Sequence, residues 1–342
     1  MKQVHILNFM QAHPNCSSGE IHKEFATTMS YATVKRILTQ LLADKYIIAE
    51  GKGKGTKYFI SPSYKLLYPI DIESYYQNEI DERKIKKDFN FGIFSLLDKN
   101  EILNPTEILK LTDLQQKYRE KISQLSDFEY KKELERLAID LSWKSSQIEG
   151  NTYSLLETER LLKEKETAAG KTKEEAIMLL NHKEAIDFIV ENLDYLIPLT
   201  ISKIEDIHSL LIKDLAIDKN LRKQRVGISG TNYCPLDNEF QIREALESTC
   251  HLVNSKENIF EKSLLILLLI SYIQPFIDGN KRTARIVSNA ILMNYKHCPL
   301  SFRTVDSVDY KKIMLLFYEQ NNISRFKEMF INQFEFAVKT YF

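Results

Sequence analysis

Residues 274–285 read QPFIDGNKRTAR. One carboxylate, Asp278, precedes Gly279 and Asn280, and three cations follow at Lys281, Arg282 and Arg285. Gly279 permits a left-handed turn or a close backbone approach. A helix beginning at the basic residues would present free N–H groups and the positive end of its dipole to an anion. Arg282 and Arg285, three apart, share one face of that helix, and two guanidinium forks beside such an anion hole suit a polyphosphate. Asp278 is the sort of single carboxylate that holds Mg2+ together with phosphate oxygens. The same residues also read as an Asp-Gly turn before a solvated basic helix. Basic charge at a helix start opposes the helix dipole, and that cost favours a bound anion. Gln274 stands where a general base would be useful.

Helices must position these groups, because helical periodicity dominates the chain and only 10 Gly and 8 Pro punctuate it. The pattern predicts helices over 107–140, 155–197, 202–217, 241–254, 261–274 and 307–339. The run SLLILLLISYI, just before the turn, reads as a buried helix; a membrane span needs about 20 residues. Strand signals are confined to YIIAEGKGKGTKYFIS and QRVGISGTNYCPLDNEFQI, each predicted to be a small hairpin.

Residues 1–65 form a unit of their own. Val4, Ile6, Leu7 and Met10 make one apolar face, Ser residues in NCSSGEIHKEF offer caps, and Ser30 is an N-cap for a third helix carrying Val34, Ile37, Leu38, Leu41 and Leu42. A hairpin with the basic tip GKGKGTK closes the unit. This pattern resembles a winged helix-turn-helix. Tyr31, Thr33, Lys35 and Arg36 would then face a DNA major groove, with Lys52, Lys54 and Lys57 of the wing near phosphates. Such a module equally serves interaction or dimerisation, and a homodimer is the expectation on symmetry grounds. The tip is not a P-loop, since G-x-x-x-x-G-K-[ST] is absent. Residues 66–135, charged and amphipathic, read as a helical connecting region, and 136–342 as the domain holding the turn.

The composition sets limits. With 47 basic and 47 acidic residues in 342, no global field selects nucleic acid or membrane. Residues 1–65 carry nine Lys/Arg against four Asp/Glu, an excess of +5, which is modest for a DNA binder. Four scattered cysteines without C-x-x-C fit reduced thiols in a cytoplasmic protein.

The stretch QPFIDGNKRTAR resembles the Fic-family signature H-P-F-x-[DE]-G-N-[GK]-R-x-x-R at every defining position but the first, where Gln274 replaces His. SSQIEGN, residues 145–151, is similar to the family's inhibitory-helix pattern [ST]-x-x-x-E-[GN], with Ser145 and Glu149 in its fixed places. RVGISGTNYCPLDNEFQI resembles the flap that docks a target segment. The resemblance spans about residues 140–330. It implies a mainly α, Fic-type helical bundle with a small β-hairpin flap beside the winged helix-turn-helix domain.

The resemblance further implies transfer of a phosphate-containing group, most often AMP from ATP, to a hydroxyl of a target protein. Asp278 matches the Mg2+ ligand, and Gly279 and Asn280 the anion nest. Arg282 matches the contact to the nucleotide phosphates, Arg285 the contact to the γ-phosphate. Lys281 adds a cation at a place where a toxin branch of the family also has Lys, but that branch lacks the second Arg. Glu149 matches a regulatory acid that competes with the triphosphate for the Arg285 guanidinium. The flap would hold a target by strand addition, with Thr231 and Tyr233 over the substrate. Gln274 removes the base. A neutral amide can orient a hydroxyl but not take its proton, and loss of a general base costs about 10²–10⁴-fold. Late proton removal in phosphoryl transfer leaves room for weak activity. His208, His182 and His251 read as packing residues that the spacing does not bring to the turn. The competing readings are a DNA-binding regulator whose second domain senses nucleotide or dimerises, and an inactive scaffold.

Overall fold

Five helix starts are written as capping boxes: Ser17 with Glu20, Asn104 with Glu107, Ser126 with Glu129, Ser154 with Glu157, and Thr172 with Glu175. In each, the cap oxygen accepts an orphan N–H and the Glu reaches back to the cap's own N–H. A computed structural model describes residues 2–342; the side chain of Lys54, one of the expected wing lysines, lies outside the described residues. Its helices are α1 Lys2–Ala12, α2 Ser18–Glu24, α3 Tyr31–Ala43, α4 Tyr64–Leu67, α5 Ile72–Tyr75, α6 Gly92–Lys99, α7 Pro105–Ile122 and α8 Asp127–Ile148. They continue with α9 Leu155–Glu164, α10 Lys173–Glu191, α11 Ile201–Leu211, α12 Glu239–Ser255, α13 Ile259–Ile273, α14 Asn280–Asn294, α15 Ser307–Gln320 and α16 Ser324–Thr340. Strands β1 Ile47–Glu50 and β2 Lys57–Ile60 pair antiparallel, with Ile47 opposite Ile60 and Glu50 opposite Lys57.

The fold is mainly helical, as expected. Three predicted helices are each split in two by local signals. The Ser126 capping box starts α8 after α7. Lys165 and Gly170 take positive φ before the Thr172 cap, and Asn321 does so after α15. No helix among the described residues is long and apolar enough to cross a membrane.

Two large apolar cores form, beside a small cluster of Tyr153, Leu161, Ala176 and Leu179. Ile6, Leu7, Met10, Ile21, Val34, Ile37, Leu38, Leu41, Ile47 and Tyr58 make the smaller one from α1–α3 and the hairpin. Val4 is exposed, because the α1 face toward the core is narrower than its apolar pattern. The larger core centres on α13, whose residues from Phe260 to Ile273 are all buried, packed between α12 and α14.

Two expectations are corrected. Residues 66–135 do not bridge two bodies: Leu66, Ile93, Leu97, Leu111 and Tyr118 belong to the larger core. The predicted flap hairpin over 225–242 also does not form. Its second arm pairs elsewhere: the Cys234 N–H donates to Lys87 O at 2.7 Å, and Arg83 Nη2 donates to Gly230 O at 2.9 Å. A charged segment upstream takes the place of the first arm.

Candidate functional site

The turn is built at the junction of α13 and α14. Gln274 caps α13 in the left-handed region with φ 52°. Phe276 is buried beneath the turn. Asn280 clamps it: Oδ1 accepts the Phe276 N–H at 2.8 Å, while Nδ2 donates to Phe276 O at 2.8 Å and to Gln274 Oε1 at 3.1 Å. Asn280 faces inward and its amide is spent on the turn. Its backbone still begins a helix that no side chain caps, so the anion-binding geometry rests on backbone N–H groups. Gly279 has φ 79°, and a Cβ there would lie 3.2 Å from the His208 ring.

Gln274 is equally engaged. Its Nε2 donates to Ser271 O at 2.6 Å, and its Oε1 takes the Asn280 bond. Both ends of the amide are therefore committed to the fold.

The cations lie behind the turn. Arg282 and Arg285 are 1% and 0% exposed. Asp278, with its side chain 56% exposed, pairs with Arg282 Nη2 at 3.0 Å. Arg285 donates from Nε to Ser145 Oγ at 2.8 Å, and from Nη2 to Ser145 O at 2.9 Å and Glu149 Oε1 at 2.7 Å. The second Glu149 oxygen accepts from Lys281 Nζ at 2.7 Å. Burial pushes the Glu149 carboxyl up, but the charges of Arg285 and Lys281 and their hydrogen bonds outweigh it and hold it at about 2. The structure thus brings Ser145 and Glu149, at the end of α8, onto the predicted phosphate residues of α14.

Arg282 Nε and Nη1 and Arg285 Nη1 are buried donors without protein partners. Together with the uncapped start of α14, they fit a phosphate chain entering past Asp278. No cluster of three His, Cys, Asp or Glu occurs among the described residues. A Mg2+ at Asp278 would therefore depend on phosphate oxygens for most of its ligands.

Several residues are placed otherwise than expected. Tyr233 does not lie over a substrate. It is 2% exposed, stacks on Tyr272 and donates its hydroxyl to Tyr272 O at 3.0 Å; an aromatic ring of that size gains more from the core than from solvent. Thr231 Oγ1 accepts the Tyr233 N–H at 3.1 Å in a local turn. His208 packs, as expected, but it packs against the turn: its ring lies 3.7 Å from Phe276 at 7°. Burial lowers its pKa to about 4, so it is neutral near pH 7. His182 is fully buried near Arg285 and Arg282, and burial holds it well below its ordinary value. Arg222, Tyr310 under Arg285, and these two histidines carried no local signal in the sequence.

In the N-terminal unit Tyr31, Arg36 and Lys52 are exposed. Thr33 Oγ1 contacts Ser30 Oγ at 3.0 Å, Lys35 Nζ lies 5.9 Å from the Tyr31 and Tyr58 rings, and Lys57 pairs with Glu20 at 2.9 Å.

Residues 198–292 match the Fic/DOC family model. The chain is 29% identical over 170 residues to a protein adenylyltransferase Fic of Nematostella vectensis, a match covering 48% of this chain and 40% of that protein. It is 28% identical over 163 residues to one of Drosophila melanogaster, covering 45% and 32%. The matches thus span less than half the length of these relatives. Among solved structures, Fic-1 of C. elegans superposes with a TM-score of 0.61 at 18% identity, over 69% of this chain and 72% of that one. A Fic family protein from Desulfovibrio desulfuricans gives 0.59 at 18%, over 70% and 74%.

Proposed function

We propose, from the match of residues 198–292 to the Fic/DOC family model, a nucleotide-binding protein of the adenylyltransferase type. It binds ATP with Mg2+ at the turn, is locked by Glu149, and is weakened by Gln274. Its reaction is AMP transfer: a target hydroxyl attacks the α-phosphorus, the bond to the β-phosphate oxygen breaks, and pyrophosphate leaves. The N–H groups at the start of α14 and the Arg282 guanidinium hold the phosphates, and Arg285 takes the γ-phosphate once Glu149 leaves. Mg2+ beside Asp278 would neutralise phosphate charge. The hydroxyl proton passes to solvent, since the amide at residue 274 has no useful basicity and both its ends are bonded within the turn.

The observation that carries this reading is the double grip on Glu149. One carboxylate occupies Arg285 and Lys281 at 2.7 Å each, the two cations nearest to where a terminal phosphate would sit. Carboxylate and triphosphate cannot share the same guanidinium fork. The test uses the full chain, Gln274→His, Glu149→Gly and the double variant, with Mg2+ and α-labelled ATP in a protein extract. Label on protein is expected with the double variant and at least about tenfold less with the parent chain. Equal labelling by the parent would sink the lost-base account, and no ATP binding by Glu149→Gly in calorimetry would sink the nucleotide site.

A second reading is favoured by the committed Gln274 amide together with the exposed Tyr31, Arg36 and Lys52. In it the chain is a DNA-binding regulator, its residues 1–65 a winged helix-turn-helix, and its second domain a nucleotide sensor or dimerisation unit. DNA retention that falls steeply with salt, and is abolished by charge reversal at Lys52, Lys54 and Lys57, would support it. Salt-independent retention would exclude it.

A further inference from the structure

Where α13 ends, its last carbonyls lose their helical partners and need others. Each one can be followed. Ile270 O accepts the Gln274 N–H at 3.0 Å, and Ser271 O accepts Gln274 Nε2 at 2.6 Å. Tyr272 O accepts the Tyr233 hydroxyl at 3.0 Å. Ile273 O takes Arg222 Nη2 at 3.4 Å, Gln274 O takes Arg222 Nε at 2.5 Å, and Pro275 O takes the Arg222 backbone N–H at 3.0 Å. Phe276 O takes Asn280 Nδ2 at 2.8 Å. Three of these seven bonds come from Arg222 and a fourth from Tyr233. The remaining Arg222 nitrogen, Nη1, donates to Gln224 O at 2.8 Å, at the root of the segment that resembles a docking flap.

We infer that Arg222 is a positioning residue that joins the docking segment to residue 274, which lies beside the target hydroxyl in the proposed transfer. The functional half of this inference rests on the transferase reading; the structural half does not. Arg222 is 2% exposed, and a guanidinium is a rigid planar fork. Its Nε and Nη2 edge faces the turn while Nη1 faces the flap root, so the two cannot shift independently. Residue 274 is a non-glycine held at φ 52°, a conformation costing about 1–2 kcal/mol for an L-residue; the paired carbonyls on either side keep it there. Residues 225–229, just beyond the root, make no backbone hydrogen bond among the described residues. A target strand added along them would be registered through Arg222 against the side chain at 274. One ammonium cannot reproduce this, because a lysine has no planar edge to serve two carbonyls and a third in another direction.

The test is hydrogen exchange on the full chain. Arg222→Ala is expected to accelerate exchange about tenfold in peptides covering both 222–236 and 271–282, with α7 and α16 unchanged. Arg222→Lys should fall between the two. Acceleration in the first segment alone, or equally in α7 and α16, overturns the coupling and leaves Arg222 a general stability residue. A second arm uses the Gln274→His, Glu149→Gly background with α-labelled ATP. There Arg222→Lys should lower kcat about tenfold while KM for ATP stays within about twofold, because orientation is lost and the phosphate ligands of α14 are not. Unchanged kcat overturns the functional half. If that background transfers no label at all, the transferase reading fails instead, and the exchange pattern still decides the structural claim.

Discussion

Glu149 is where the charges of the closed site are balanced. Among the described residues, the carboxylates paired with Lys281, Arg282 and Arg285 are those of Glu149 and Asp278, so the fully buried Arg285 depends on Glu149 for its neutralisation. Glu149→Gln leaves that guanidinium without its counter-charge, and removing one partner of such a pair costs about 3 kcal/mol or more. Lys281→Met should cost less, about 1 kcal/mol or under, because the Lys281 side chain is 31% exposed and solvent screens it. If the two cations hold one carboxylate jointly, a double-mutant cycle of Lys281→Met with Glu149→Gln yields a coupling of about 1 kcal/mol in urea denaturation. Strict additivity would mean that Lys281 is only a solvated neighbour. The pair also has a defined pH window. With the folded-state carboxyl at about 2, its contribution is full above the ordinary value of about 4.3 and fades as pH falls toward the folded one. The destabilisation by Glu149→Gln should therefore shrink between about pH 5, above that window, and about pH 2.5, near its lower end.

At the scale of elements, α13, the turn and α14 act with α11, because His208 lies flat on Phe276 and against Gly279. Its imidazole is held neutral, at about 4. A histidine depressed on folding stabilises above its ordinary value near 6.5, and this is lost as pH falls through its folded value. His208→Phe keeps the stacking ring and removes the titration. The parent chain should lose about 2–3 kcal/mol more than His208→Phe between pH 7.5 and 4.5, read as the change in urea midpoint; parallel losses would contradict a buried neutral imidazole. The same region shows what the sequence could disclose. Capping boxes and apolar periodicity are local and located the helices, and the spacing of Arg282 and Arg285 put both on α14. The contact of Glu149 with Arg285 was legible only through resemblance, since nothing in SSQIEGN says by itself that α8 ends on α14. The flap pairing was not legible at all. Arg83 and Gly230 are 147 residues apart, and the partner segment IDERKIKKDF has the charge pattern of an amphipathic helix. Arg222 in NLRKQR is indistinguishable from its solvated neighbours, and only the fold shows that it meets the end of α13.

For the whole molecule, the division into two cores is the feature with the widest consequence. The smaller core runs from Ile6 to Tyr58 and the larger begins at Leu66. Between them are polar contacts, with Lys45 paired to Glu101 and bonded to Leu103 O at 3.1 Å, and Asn104 Nδ2 on Asp44 at 3.3 Å. Tyr46 alone packs against both cores among the described residues. So thin a junction should not force the two to unfold together. The chain has one tryptophan, Trp143 of α8, a helix whose Leu137 and Leu141 lie in the larger core; it is bonded to Tyr153 O at 3.0 Å, so its fluorescence reports the surroundings of α8 and not the smaller core, whereas far-ultraviolet circular dichroism reports both. Leu41 is fully buried in the smaller core and Leu268 in the larger, and truncating either to Ala removes about 2–5 kcal/mol. Leu41→Ala should therefore bring an early circular-dichroism transition that Trp143 fluorescence does not follow, while Leu268→Ala should shift the fluorescence midpoint directly. If Leu41→Ala moves both signals by the same amount, the cores form one cooperative unit. The N-terminal unit could then not be a separately movable DNA-binding or dimerising module, and a change in it would be transmitted directly to the turn between α13 and α14.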